Sequence, residues 1–299
     1  MLVEQPRDDH GRFASTGGLA SWAAKRSGES PGKVIAEAQT GRHWTDKLPK
    51  GMKPETWQAH FDKHPDKGGK PDAERAKLHE TIIAKALEGV KSPAHDEQKV
   101  AIFTMGGPAS GKSSMLKGID STRFVKVDPD SIKEQLPEYK QATEPGNTYR
   151  GAAKMVHEES SYIAKQVLAR AIGEGKHVIV DGTGANIDSV GRKMQKLKDA
   201  GYHVHVAYSH LGDVKEAIAR NKARAEKVGR FVPEEFVRRA YHDIPRNFER
   251  IARNADSFAV HDSSRAGSPV VWERTPDGKE LQRDPSFVAS FRSRYGRKS

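Results

Sequence analysis

Val100-Ala101-Ile102-Phe103-Thr104-Met105-Gly106-Gly107-Pro108-Ala109-Ser110-Gly111-Lys112-Ser113 runs from an apolar strand into a glycine-rich turn and then into a helical start. The turn has the spacing G-x-x-x-x-G-K-S, in which backbone N–H groups curl around phosphate oxygens. Lys112 is placed to reach the β- and γ-phosphates of a nucleotide, and the Ser113 hydroxyl to ligate Mg²⁺. Gly106, Gly107, Pro108, Ala109, Ser110, Gly111, Lys112, Ser113 and Ser114 are the expected ATP contacts. A helix starting near Lys112 would turn its positive dipole end toward the same anion.

Outward from this loop the chain alternates. Apolar strands are predicted at Val100–Met105, Phe124–Val127, Val178–Val180, Val204–Tyr208 and Phe258–Val260. Helical runs are predicted between them at Ser113–Gly118, Ala152–Gly173, Ile187–Ala200, Val214–Lys227 and Glu234–Asn254. That order predicts an α/β fold of P-loop NTPase type, a parallel sheet with helices on both faces. A hairpin is expected at Val270–Glu273, turning near Pro276-Asp277-Gly278, and a last helix at Ser286–Tyr295. Upstream, Pro71-Asp72 opens a helix with Leu78, Ile82, Ile83, Ala86 and Leu87 on one face, ending at Gly89.

Three segments follow from this pattern. Residues 1–70 read as a flexible or partly helical N-terminal region, with short helices at Trp22–Lys25 and Gly32–Ala38 and a turn-dense linker at Asp62–Lys70. His60, His64 and His79 lack metal-ligand spacing and read as surface residues. Residues 71–283 form the kinase-like domain, and 284–299 a C-terminal helix with a solvated basic tail of Arg292, Arg294, Arg297 and Lys298.

The composition bounds the class. The 299 residues carry 51 Lys and Arg against 40 Asp and Glu, a formal charge of +11. A basic surface suits polyanions and small phosphorylated substrates alike. Aromatic residues are not interleaved with the basic ones as a nucleic-acid stacking platform needs, so nucleic acid is disfavoured. There is no cysteine, which excludes disulfides and cysteine-based zinc sites. No apolar run approaches bilayer length, and Met1–Pro6 lacks the apolar block of a secretion signal, so a cytoplasmic protein without membrane contact is expected.

In such a sheet, ligands bind at the carboxyl ends of the strands, so polar residues there carry the chemistry. After the second strand come Asp128 and Asp130. A carboxylate here can take the proton of an acceptor hydroxyl as that oxygen attacks the γ-phosphate. Asp130 is preferred as the base and Asp128 as a substrate contact, although Asp130 also stands as an N-cap for the run starting at Ser131. After the third strand, Asp181 and Thr183 can bind substrate, and Asp181 can join Ser113 around Mg²⁺. Arg220 and Arg224 share a helix face before Arg230, and an arginine-bearing lid would neutralise charge on the transferring phosphoryl group. Glu158 and Glu159, early in the long helix, are candidate substrate contacts.

With these residues in place, the chain resembles the zeta-toxin family of P-loop kinases over about residues 75 to 265. The likeness rests on Gly106–Ser113, Val127-Asp128-Pro129-Asp130-Ser131-Ile132-Lys133, Asp181-Gly182-Thr183-Gly184, and Arg220 to Arg230 before Val232-Pro233. The resemblance implies ATP-dependent phosphorylation of a sugar-nucleotide hydroxyl, UDP-N-acetylglucosamine being the family's substrate, and an antitoxin protein as a partner. It matches Asp130 to the family's base, Lys112 and Ser113 to its ATP and Mg²⁺ residues, and Arg220 and Arg230 to its phosphate-binding arginines. Where the family's type member has a substrate-binding acid further along the long helix, this sequence has Lys165. Two alternatives stay open. One is a polynucleotide 5′-kinase or another small-molecule P-loop kinase. The other is a non-catalytic ATP-binding protein associated with phage, suggested by Asp8–Phe13.

Overall fold

A computed structural model describes residues 42–116 and 118–296. The short helices expected before residue 40, the Asp8–Phe13 stretch, Lys117, Arg297 and Lys298 lie outside the described residues. The central sheet has seven strands in the order β3-β5-β2-β6-β7-β8-β9. These are β2 (Val100–Met105), β3 (Phe124–Val127), β5 (His177–Val180), β6 (His203–His210), β7 (Ser257–Asp262), β8 (Val270–Arg274) and β9 (Glu280–Gln282). The first five to pair, β3, β5, β2, β6 and β7, are parallel, and β8 and β9 extend the edge antiparallel. The five predicted strands are all present, each in the expected stretch.

Helices are numbered in chain order: α1 (Trp57–His60), α2 (Ala73–Leu87), α3 (Lys112–Met115), α4 (Pro129–Lys133), α5 (Pro137–Ala142) and α6 (Ala152–Met155). They continue with α7 (His157–Gly173), α8 (Ile187–Asp199), α9 (Val214–Val228), α10 (Glu234–Arg253) and α11 (Pro285–Tyr295). Strand alternation sends Ala101, Phe103 and Met105 to one face, where they meet buried residues of α2, α7, α8 and α10 in one continuous core. Ile102, Ile179 and Ala207 point the other way and are covered by Met115, Leu116 and Ile119 of α3 and the turn after it. The helix expected at 152–173 is two helices, because the backbone at Val156 leaves helical geometry with ψ of 10°.

Residues 42–70, read as flexible or partly helical, hold short elements tied to the rest of the chain, among them α1 and a 3-10 turn. Trp44–Thr45 (β1) pairs in parallel with Thr148–Tyr149 (β4). Phe61 bridges to Pro71, and a 3-10 turn at Pro65–Lys67 buries Pro65, so the turn-dense stretch is a closed loop with its ends tied. The bridge from Phe61 to Pro71 spans the expected boundary at 70/71. His79 is buried at 3% exposure, against its reading as a surface residue. At the other end, α11 buries Val288 and Phe291, and the Arg292 guanidinium lies 4.7 Å from the Trp272 ring centre, so this part of the basic tail is a packing element. No helix among the described residues is long and apolar enough to cross a membrane.

Candidate active site

The phosphate loop leaves β2 with two glycines held in conformations other residues rarely adopt. Gly106 has φ of 145°, and a Cβ there would meet Ser110 Oγ at 2.5 Å and the Ser209 carbonyl at 2.7 Å. Gly111, with φ of 93°, caps α3 in the left-handed region. The loop is stitched to its neighbours. Gly106 N–H donates to the Thr183 carbonyl at 3.1 Å, Ser209 Oγ donates to the Ser110 carbonyl at 2.6 Å, and Tyr241 O–H donates to the Pro108 carbonyl at 2.9 Å. Lys112 Nζ donates to the Gly106 carbonyl at 3.1 Å, folded back over the loop. Ser113 and Ser114 are exposed at the start of α3, while Ser110 is buried.

β3 and β5 are neighbours, so their carboxyl ends bring the second and third groups of acids to the same edge. Asp128 is the N-cap of α4. Its Oδ1 accepts from Asp130 N–H at 2.9 Å and its Oδ2 from Ser131 Oγ at 2.7 Å, and Lys126 Nζ lies 2.9 Å away. The capping role expected of Asp130 thus belongs to Asp128. Asp130 sits inside the first turn of α4, with Lys133 Nζ at 3.1 Å and the Arg230 guanidinium bonded to its Oδ2. Burial pushes the Asp130 carboxyl up, but Arg230 and Lys133 outweigh it and hold its pKa below the ordinary value. Asp181 accepts a bond from the Thr104 hydroxyl, which in turn accepts from Gly182 N–H at 3.3 Å.

Lys112 is the point where these charges meet. Burial lowers its pKa, Asp181 and Asp130 oppose that shift, and Arg230 and Arg224 add to it. The carboxylates that follow β3 and β5 and the arginines of α9 and the turn after it thus all influence the Lys112 ammonium. Beside Asp181 and Thr183 a cavity of about 150 Å³ opens, lined also by Asn186, Ser189 and Lys193. Burial lowers the pKa of the Lys193 ammonium, and Lys165 and Arg192 lower it further.

Other expected contacts lie elsewhere. Glu159 has 0% exposure and is bound from two sides: Arg75 Nε at 2.5 Å from Oε1 and His79 Nε2 at 2.6 Å from the same oxygen. It is a core acid joining α2 to α7, which corrects its reading as a substrate contact. Glu158 is half-buried and gathers with His64 and Asp66, whose ligand atoms lie within 4.8 Å of one another, although sequence spacing had suggested no such group. Lys165 Nζ already pairs with Asp66 at 2.7 Å. Arg220 bonds Glu216 one turn back on its own helix at 2.5 Å, and Arg224 is exposed. Sequence reasoning missed Thr104, Lys133 and Tyr241. Lys133 stands three residues after Asp130, a helical spacing that could have revealed it, whereas Tyr241 looks like any apolar position of α10.

The profile of the zeta toxin family matches residues 83–275, more than half of the chain. The chain belongs to the zeta toxin family. That membership places it among ATP-dependent kinases. Over 106 residues it is 32% identical to the calmodulin calcium-dependent NAD kinase of Arabidopsis thaliana, a match covering 31% of this chain and 20% of that protein. The chain thus spans about a fifth of the length of that relative. Among solved structures, one from the PezAT chromosomal toxin–antitoxin system of Streptococcus pneumoniae superposes with a TM-score of 0.55 at 18% identity, covering 75% of this chain and 95% of that one. An AvrRxo1-ORF1:AvrRxo1-ORF2 complex solved with ATP gives a TM-score of 0.62 at 16% identity, covering 74% and 73%. At these identities the two structures share the fold of this zeta toxin family member.

Proposed function

We propose that this protein transfers the γ-phosphoryl group of ATP to a hydroxyl of a nucleotide-sugar acceptor, a UDP-N-acetyl sugar, as a zeta-type toxin. The reading is carried by the bond from Arg230 to Asp130 at the same sheet edge as the phosphate loop that holds Lys112. Asp130 accepts the proton of the acceptor hydroxyl. The acceptor oxygen forms a bond to phosphorus as the bond from phosphorus to the bridging oxygen of ADP breaks, and Lys112 and Arg230 neutralise the charge on the oxygens in transit. Arg230 must then share its donors between Asp130 and the phosphoryl group. The exposed Ser113 hydroxyl and the Asp181 carboxylate are oxygen donors of the kind Mg²⁺ takes. Bound there, Mg²⁺ would neutralise the β- and γ-phosphates. An antitoxin partner is part of this reading, supported by family membership.

A second acceptor, a dinucleotide hydroxyl, is favoured by two observations. The acid once expected to hold substrate, Glu159, is sealed in the core, and the wall beside Asp181 carries the Lys193 ammonium, suited to a phosphate of the acceptor. The likeness to the Arabidopsis NAD kinase points the same way. ATP turnover measured with UDP-N-acetylglucosamine, NAD and an RNA oligonucleotide, alongside Lys112→Ala, separates the readings. Product from the UDP-sugar alone supports the first and product from NAD alone the second. Equal turnover by Lys112→Ala would remove the site itself.

A further inference from the structure

Arg230 is held in place from outside the region matched by the family profile. Helix α9 ends at Val228, and the last carbonyls of a helix have no partner within it. Arg42 supplies one. Its Nε donates to the Glu226 carbonyl at 3.2 Å, one terminal nitrogen to the Lys227 carbonyl at 3.4 Å, and the other to the Thr143 carbonyl just beyond α5. Gly229 then turns the chain with φ of 73°, so close to Arg42 that a Cβ would meet its guanidinium at 2.8 Å. Trp44 holds the far side of the same turn. Its indole N–H donates to Glu226 Oε1 at 2.9 Å, and its ring lies 5.8 Å from that of Phe231. The backbone between them is anchored too: His43 N–H donates to the Pro145 carbonyl at 2.9 Å, and its carbonyl accepts from Thr148 N–H at 2.8 Å.

Residues 42–45 therefore strap the end of α9 to the segment 143–150, and the three-residue turn between the two fixed points has Arg230 at its centre. We propose that Arg42 and Trp44 are positioning residues for phosphoryl transfer, fixing the turn 229–231 so that Arg230 meets Asp130 and the transferring phosphoryl group. The proposal rests on the reading of Arg230 given above. Its physical basis is preorganisation: a charged group that must arrive within a fraction of an ångström loses effect when its backbone wanders. The phosphate loop is held separately, by Thr183, Ser209 and Tyr241, so loosening the strap should spare ATP binding.

The test uses the full chain with Arg42→Ala, Trp44→Ala, Arg42→Lys and Arg230→Ala, measuring kcat, KM for ATP and amide hydrogen exchange over 226–232. Both alanine variants at the strap should lower kcat about tenfold or more, leave KM for ATP within roughly twofold, and speed exchange over the turn. Arg42→Lys should recover part of kcat, because one ammonium reaches a single carbonyl where the guanidinium bridges three. A global loss of folding would move exchange throughout the sheet, whereas the strap moves only the turn. Parental kcat in both alanine variants, with Arg230→Ala impaired, would overturn the strap's role and leave the reading of Arg230 intact. Unchanged exchange over the turn would overturn it as well. Full activity of Arg230→Ala would instead remove the reading beneath it.

Discussion

Asp130 and Glu159 are both acids near a helix start, each paired with an arginine from a distant part of the chain. Glu159 is sealed: its two oxygens receive Arg75 and His79, Arg75 also holds Glu138 through two bonds, and His60 closes the far side of Glu138 at 3.0 Å. Asp130 keeps 30% of its side chain exposed, at the carboxyl edge of the sheet, paired with Arg230 and Lys133. A saturated, buried acid fixes where α2 and α7 sit. An acid with spare lone pairs and solvent access can exchange its partners for a substrate. Composition does not separate the two; burial and the count of satisfied bonds do.

Mutation should divide the two clusters cleanly. Lys112→Ala, on the reactive side, should lower kcat by at least about 10³-fold, in the range attached to charge stabilisation in phosphoryl transfer. The melting temperature should barely change, since Lys112 contributes one bond to its own loop. A stable Lys112→Ala protein with parental turnover in the acceptor assay would erase the distinction. Glu159→Gln should do the reverse. It leaves Arg75 short of charge compensation in the core and should cost about 3–5 kcal/mol of stability. Urea unfolding measures this, and a loss below about 1 kcal/mol would show that the network is not what joins the helices. Asp130→Asn should sit between them, with kcat down on the order of 10²–10⁴-fold, KM for ATP nearly unchanged and stability within about 1 kcal/mol. Loss of stability equal to that of Glu159→Gln would place Asp130 among the structural acids.

Acid separates the clusters by a second route. Burial opposes ionisation of Glu159, but His79 and Arg75 outweigh it and take its pKa from 4.5 to about 2. Its contribution to stability is therefore complete above pH 4.5 and is lost as pH falls toward 2. Burial pushes His205 and His210 from 6.5 down to about 4, so the unfolded chain takes up their protons first and stability already declines between pH 6.5 and 4. Urea midpoints across this range should fall in both windows for the parent. Glu159→Gln should flatten the lower window and leave the upper one; an unchanged lower window would contradict the assigned cause.

Much of the fold was legible because its signals are local. Five apolar stretches read as strands, and the glycine pattern at 106–111 admits few backbones, so the loop and the sheet edge that carries it could be located from the chain alone. Asp128 and Asp130 could be placed at that edge, but the cap read for Asp130 belongs to Asp128, because which of two acids two residues apart caps a helix depends on where the first turn begins. The N-terminal packing was illegible for a different reason. Arg42, Trp44, His60 and Arg75 act on partners roughly 60 to 180 positions away, such as Glu138 and Glu226, and no spacing rule links them. Glu158 and Glu159 were read together for their charge, yet one residue of helix rotation sends one to the core and leaves the other half-exposed.

The smallest expected effect concerns the lid arginines, which sequence treats as equivalent. Arg220 and Arg230 are both expected to neutralise the phosphoryl group, but Arg220 is held by Glu216 on its own helix, whereas Arg230 reaches across to Asp130. Reaching the phosphoryl would cost Arg220 a charge-assisted bond worth up to about 0.5 kcal/mol at an exposed helical pair, a small penalty but one Arg230 does not face in the same form. Arg220→Ala should therefore reduce kcat less than tenfold, and Glu216→Ala, which frees the guanidinium, should leave kcat equal or raise it. A loss for Arg220→Ala as deep as that of Arg230→Ala would mean that the bond to Glu216 breaks when nucleotide binds, and that α9 turns as a whole to bring both arginines onto the transferred group.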